Sequence, residues 1–488
     1  MQLQPRTQIL ARGTGRRVSV PVAIVAGSLL LGALSLLLPS APTYDPFAWI
    51  IWGREILHLD LNTVDGPSWK PLPVIVTTLT APLGEASPFI WVAVAHAGAL
   101  AAVALAWLLA ARIARNHAAG FAAAAALLLM PWWIRNGALG NSEGIMVALV
   151  FATVLAHLDG RRGWAFTWAI GAALLRPEVW PFLGLYVLFL LYEDRGRLAW
   201  IAGGLATLPV LWLGPELWGS GNAFRASDRA QNPNSDSPAF ADNPALEVTK
   251  DALGAAPALA VAGFAAAIAV AAAVVVTARR QAAGAPPRWT ERLPSRTDAL
   301  AALVLGLLAA AWIALVAVMT VRGFSGNQRY LIVPVALIIV VGAVGLTWLV
   351  QAASTSALPA VATAVVALAL GAAFVVPDAD ALGPTLRGVE YQADLYHDLG
   401  TLIDDAGGKE RLERCGDLYT GPFLVPQVAW RMGVHGSDVS LRPRSPAVVF
   451  HVRTVERGYV APPLNRAAEH VLARRGHWAL TADCPPQR

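Results

Sequence analysis

The sequence predicts an all-α polytopic membrane domain of about eleven transmembrane helices, closed by a small extracytoplasmic α/β domain at its C-terminal end. Three observations point there. Hydrophobic residues make up 56% of the 488 and charged residues only 14%, more apolar surface than a water-soluble domain of this size hides. Apolar stretches of roughly 17 to 25 residues recur along the chain, the length a helix needs to cross a bilayer. From Pro377 onward the composition turns polar, with two helix-like stretches and short β-like runs such as AVVFHV (447–452) and HWALTA (477–482).

The elements follow in order. MQLQPRTQILARGTGRRVSV carries Arg6, Arg12, Arg16 and Arg17 ahead of an apolar run over 18–38. That run is too long for a signal peptide and lacks a small-residue cleavage site, so it reads as a retained first span with a cytoplasmic N-terminus. A first outer loop covers 39–87. Further spans are expected near 88–111, 119–134, 142–158, 163–175, 178–192, 198–213, 252–277, 299–321, 329–350 and 357–376. The segment WAFTWAIGAALLRPEVWPFLGLYVLFLLY (164–192) is read as two short helices meeting at Arg176-Pro177-Glu178. With two helices, Arg112, Arg115, Arg161, Arg162, Arg195, Arg197 and the loop from Arg279 to Arg296 all fall on the N-terminal side, as cytoplasmic loops require. The same parity puts an outer loop at 214–250 and the domain 377–488 outside, giving a transmembrane domain over 1–376.

A net charge of +5 and a pI near 9.5 could suggest nucleic acid. The arginines instead sit in short clusters between apolar runs, as topology demands, and no nucleic-acid partner is expected. There is no Gly-rich phosphate loop and no His/Cys metal cluster. The two cysteines of the chain, Cys415 and Cys484, both lie in the C-terminal domain, and an even count in an oxidising compartment suggests a disulfide.

Charged residues near the apolar runs are not scattered. Asp45, Arg54, Glu55, Lys70, Arg135, Glu143, Arg176, Glu178, Arg322 and Arg329 all fall at outer helix ends or in outer loops under this topology. Charges from several separate helices on one side of a membrane read as one shared site. A site facing outward needs a substrate available at the outer leaflet, and a lipid-carried donor fits better than a soluble nucleotide. Asp45 by itself also reads as a helix cap with Pro46 at the first helical position. Pro46 to Leu59 then reads as an amphipathic helix lying on the membrane through Trp49 and Trp52. His96, deep in an apolar run, reads as a packed core histidine. The long polar stretch 215–247 reads either as a lid or acceptor clamp or as plain disorder.

Asp45 soon after the first span, the interfacial helix with Glu55, and WKPLPV at 69–74 together resemble the GT-C glycosyltransferases. The match is to the branch with protein O-mannosyltransferases and aminoarabinose transferases, and to actinobacterial envelope mannosyl- and arabinofuranosyltransferases. Lys-Pro-Leu-Pro stands where the family motif reads Lys-Pro-Pro-Leu. NSEG (141–144), LLRPE (174–178) and NQRYLIVP (327–334) resemble motifs such enzymes place at outer helix ends. The resemblance implies an inverting transfer of arabinofuranose or mannose from a polyprenyl-phosphate donor to a polysaccharide, glycolipid or protein acceptor at the cell membrane. It implies Asp45 as general base, Lys70, Arg176 and Arg329 on the donor phosphate, and Glu55, Glu143, Glu178 and Tyr330 on the acceptor or in support. Metal dependence is left open: Glu143 with Asp45 could hold a divalent cation, Mg or Mn, and no cofactor is certain. The rival reading is a transporter or flippase of a lipid-linked glycan, which an internal inverted repeat and charges near the midplane would favour.

Overall fold

The computed structural model describes residues 19–280, 294–353, 379–454, 458–460 and 470–483. The N-terminal arginines, the span expected at 357–376 and Cys484 lie outside the described residues. Among those described, six helices are long and apolar enough to cross a membrane, or seven if one bent pair is a single span. The protein is a multi-pass membrane protein with a small C-terminal sheet domain.

The chain starts with α1 (Val20–Leu34), which is mostly exposed along its apolar length, as a helix facing lipid is. Next come α2 (Tyr44–Leu57), α3 (Pro71–Thr80) and the long α4 (Ser87–Ala114). The span expected at 119–134 is two helices, α5 (His117–Leu128) and α6 (Pro131–Ala138), bent by 61°. Pro131 has no N–H to continue α5 and is preorganised to open a new helix. After α7 (Glu143–Leu158), the two short helices read from 164–192 are α8 (Arg162–Ala173) and α9 (Trp180–Glu193). Arg176 stands between them in extended conformation (φ −150°, ψ 132°), followed by a 3₁₀ turn over Pro177–Val179, since a residue before proline is pushed out of the helical region.

Then come α10 (Leu198–Ser220), α11 (Arg225–Ala230), α12 (Pro244–Ala255) and α13 (Ala258–Arg280). The span expected at 252–277 therefore starts later, at Ala258, just after Pro257. The helices α14 (Arg296–Val321) and α15 (Ile332–Ala353) complete the described bundle. Nearly all of α15 is buried, so it is the axis of the bundle. It meets α13 along a seam of glycines. A Cβ on Gly342 would overlap the Ala260 carbonyl, and one on Gly345 the Gly263 carbonyl. Small residues of this kind let membrane helices approach backbone to backbone.

The C-terminal domain contains α16 (Ala379–Asp405), α17 (Lys409–Cys415), α18 (Val425–Met432) and six strands. The strands are β1 (Asp417–Thr420), β2 (Val439–Ser440), β3 (Ala447–Thr454), β4 (Gly458–Val460), β5 (His470–Arg475) and β6 (Trp478–Ala482). Sheet order is β2-β1-β3-β6-β5, with β4 also paired to β3. β1 runs parallel to β2 and β3, whereas β6 is antiparallel to β3 and β5. Cys415 is buried and is not a free thiol.

This domain corrects the reading of α2. Phe47 to Trp52 are all buried, Trp49 completely, so α2 does not lie on a lipid surface. It is sandwiched between the bundle and the C-terminal domain. Arg54 Nη2 donates to the Val434 carbonyl at 2.6 Å, with its guanidinium 5.4 Å from the Trp430 ring centroid. Glu55 Oε1 meets His435 Nδ1 at 2.7 Å, Asp60 Oδ2 lies 3.2 Å from His435 Nε2, and Asn62 Nδ2 donates to Ser437 Oγ at 3.0 Å.

Burial pulls the His435 imidazolium down, but the hydrogen bond and charge of Glu55, with Asp438 and Asp60, more than offset it and leave the group raised. Burial raises the Glu55 carboxyl. A histidine with a raised folded value contributes stability that is complete below its ordinary value near 6.5 and is lost as pH rises through the raised one. The melting temperature of native protein minus that of His435→Gln should thus be greatest near about pH 6 and shrink as pH rises through the raised value. A difference that stays constant across that range would show that His435 contributes packing alone.

Candidate active site

Two backbone hydrogen bonds place Asp45. Ala41 N donates to Ala138 O and Thr43 N to Leu139 O, both at 3.2 Å. They zip the strap before α2 along the end of α6, so that Asp45 arrives beside the start of α7. Asp45 does not cap α2: Thr43 holds that position, and neither residue supplies a side-chain cap. The carboxylate is used elsewhere. Arg329 Nη1 donates to Asp45 Oδ2 at 2.9 Å.

Arg329 reaches three elements at once. Its Nε donates to Glu143 Oε1 at 2.7 Å and its Nη2 to Asn141 Oδ1 at 3.1 Å. Glu143, the first residue of α7, is 1% exposed. Its Oε1 also accepts from Arg176 Nη2 at 3.0 Å, so one oxygen is shared by two guanidiniums. The α7 terminus sits where it does because Gly144 packs on α4: a Cβ there would overlap the Ala99 backbone. Arg176 lies 3.5 Å from Glu178 Oε1 and 4.7 Å from the Tyr330 ring centroid. Lys70 joins from the other side, its Nζ 4.9 Å from the Trp49 ring centroid.

Seven sequence-predicted residues thus meet: Asp45, Lys70, Glu143, Arg176, Glu178, Arg329 and Tyr330. The eighth, Glu55, does not belong with them. Three turns of α2 separate it from Asp45, and it holds His435 and the Asn62 N–H instead of supporting the site. His96 is a packed residue, its Nδ1 2.6 Å from Ser35 Oγ. Sequence reasoning missed Asn141, inside the quoted NSEG, and assigned Trp49 to a lipid interface. It also missed a second buried pair, Glu216 with Arg225. Glu216 could have been found, because a carboxylate inside the apolar run LWLGPELW is costly without a role. Arg225, in a polar loop, carried no signal.

The electrostatics are uneven. The arginines are matched by carboxylates, whereas Lys70 has neither a hydrogen-bond acceptor nor an ion-pair partner among the described residues. Lys70 immediately precedes the span that opens at Pro71 and is 9% exposed. Burial, followed by the Arg176 and Arg329 charges, pushes its ammonium down to about 7. As for a metal, Asp45 and Glu143 are both engaged by Arg329, and among the described residues no group of three or more His, Cys, Asp or Glu is arranged to hold an ion. The arrangement offers a carboxylate, Asp45, whose Oδ1 makes no hydrogen bond among the described residues, beside three cationic side chains. Such a site can take a proton and steady an anion.

The helical bundle with its small C-terminal sheet domain is a polytopic membrane fold of the kind seen in ArnT. The chain is similar to ArnT from Cupriavidus metallidurans bound to undecaprenyl phosphate, with a TM-score of 0.51, 14% identity, and coverage of 96% of this chain and 99% of that one. The apo state of the same ArnT gives a TM-score of 0.51 and 15% identity over the same shares. No family model and no curated protein matches the sequence. At such identities the likeness is one of fold.

Removing one member of a buried ion cluster leaves the others uncompensated. Arg329→Met should destabilise the protein by about 3 kcal/mol, the lower end for a buried pair because Arg329 is partly exposed. Adding Glu143→Gln should recover part of that loss, since it removes the stranded charge. Chemical denaturation in detergent reads both effects; a double variant costing the sum of the singles would mean that the two residues do not act as a unit.

Proposed function

We propose that this protein is an inverting glycosyltransferase that moves a sugar from a polyprenyl-phosphate donor to an acceptor hydroxyl. The observation that carries the reading is Lys70: a nearly buried ammonium without an ion-pair partner among the described residues, beside Arg176 and Arg329 and across from the Asp45 carboxylate. A lipid phosphate supplies the missing anion, and its prenyl chain explains why the site lies at the end of a membrane bundle. The ArnT likeness supports the same donor class, because undecaprenyl phosphate is the ligand of that structure.

In this reading the acceptor hydroxyl gives its proton to Asp45 as its oxygen attacks the anomeric carbon. The bond from that carbon to the phosphate oxygen breaks with its electron pair, and a single displacement inverts the centre. A positioned base contributes on the order of 10² to 10⁴ in rate. Lys70, Arg176 and Arg329 hold the departing phosphate, where fixed cations in a poorly hydrated site stabilise developing charge better than water does. Arginine adds a planar fork suited to phosphate oxygens. Glu143 holds both arginines in register, Glu178 and Tyr330 support Arg176, and Asp45 exchanges its Arg329 contact for the acceptor. The site and C-terminal domain face the outside of the cell, the sugar is arabinofuranose or mannose, and Cys415 pairs with Cys484.

The test is sugar transfer in reconstituted membranes given polyprenyl-phosphate arabinofuranose or polyprenyl-phosphate mannose. Native protein should release polyprenyl phosphate from one of them. Asp45→Asn, folded to the same melting temperature, should lose at least about a hundredfold in rate. Equal turnover by both proteins would remove Asp45 as base. Donor crossing the bilayer unconsumed would instead mark a flippase.

A further inference from the structure

The segment that delivers Lys70 is held by the second buried ion pair. Glu216, near the end of α10, is completely buried. Arg225, opening α11, grips it with both arms: Nε to Oε2 at 2.7 Å and Nη2 to Oε1 at 2.9 Å. Thr63 Oγ1 adds a bond to Glu216 Oε2 at 3.1 Å, and Thr63 N donates to the Gly219 carbonyl at 3.0 Å.

The three residues before Lys70 are each tied to the same stretch. Arg225 Nη2 donates to Pro67 O at 3.0 Å, Ser68 Oγ to Ala226 O at 2.9 Å, and Trp69 Nε1 to Leu211 O at 2.9 Å. The Arg225 guanidinium stands 5.7 Å from the Trp52 ring centroid, and that ring packs on Trp69 at 5.4 Å. A buried ion pair seldom repays its desolvation as net stability; what it can supply is one geometry in place of many. Here the geometry is that of a lysine whose own side chain has no polar partner among the described residues to aim it.

We propose that the Glu216–Arg225 pair is a clasp that positions Lys70, holding residues 67–69 so that the ammonium stays over Trp49 and inside the cationic end of the site. The proposal rests on the reading that Lys70 receives a lipid phosphate, and it adds two positioning residues to that site. The charged groups facing Lys70 are Arg176 and Arg329, which oppose its charge, and Glu143 and Asp45, which favour it. With the clasp closed the ammonium is kept from water. With the clasp opened it gains water and regains its ordinary proton affinity.

The experiment compares native protein, Arg225→Lys, the charge-free double variant Glu216→Gln/Arg225→Gln, and Lys70→Gln in nanodiscs. Undecaprenyl phosphate binding is measured from about pH 6 to pH 10, with Lys70→Gln showing how the phosphate's own titration contributes. Native affinity should fall as pH rises past about 7 relative to that baseline. The double variant should bind roughly tenfold more weakly at neutral pH and lose affinity at least about one pH unit higher, with Arg225→Lys between them. Added to Lys70→Gln, the double change should alter affinity less than about twofold. Weaker binding with an unmoved pH midpoint would overturn the clasp and leave only a loop staple. A second measurement needs no ligand: the pH midpoint of Lys70 acylation, followed by peptide mass spectrometry. If native protein binds no lipid phosphate, the transferase reading fails, and this midpoint still decides the clasp by moving or not moving in the variants.

Discussion

One carboxylate oxygen organises the site. Glu143 Oε1 accepts from both Arg176 and Arg329, and a carboxylate with almost no access to water is tolerable only when so matched. That requirement fixes which elements meet. The start of α7 must face the break between α8 and α9, where Arg176 stands, and the 3₁₀ turn before α15, where Arg329 stands. Asp45 and Asn141 then find their places on the free arms of Arg329. The surrounding helices serve this point. The tight packing of Gly144 on α4 keeps the α7 terminus in reach, and the proline after Arg176 keeps that arginine out of a helix and free to turn inward.

Much of this was legible in the sequence because charge is costly in an apolar chain. Asp45, Glu143, Arg176 and Arg329 stand at the ends of runs that otherwise hold few charged groups, and the arginine-rich loops told which ends belong together. The split at Arg176-Pro177 followed from the same count. Where reading failed, the missing information was tertiary. Trp49 and Trp52 look like interface residues until the C-terminal domain is known to cover α2, and nothing local in DPFAWIIWGRE announces that cover. Glu55 looked like a second acid for the site, but the helical repeat turns it towards His435. Arg225 has no local signal, since its role depends on a carboxylate in a preceding helix and a carbonyl far upstream. Kinks were foreseeable where proline stood, at Pro131 and Pro257, yet apolar length alone merged the pieces.

Two buried ionic centres therefore divide the work of this end of the bundle. The cluster around Glu143 gathers α2, α7, the α8–α9 break and α15. The pair at Glu216 and Arg225 gathers α10, α11 and the segment after α2. Lys70 lies where the two meet, held through its neighbours by one and surrounded by the charges of the other. The C-terminal domain adds a third tie through Arg54 and Glu55, so α2 is fastened at Asp45 on one end and at the sheet domain on the other.

The glycine seam between α13 and α15 has a mechanical consequence. Helices in backbone contact have no side-chain layer to shear, so α15 behaves as a rigid post and Arg329 is mounted at its head. The segment carrying Lys70 is a different kind of part, irregular in backbone and fixed by the polar bonds of the Glu216–Arg225 pair and its neighbours. A ligand entering between them meets one wall set by helix packing and one set by a single ion pair. The post then serves as the reference against which the charged groups of the site are aligned.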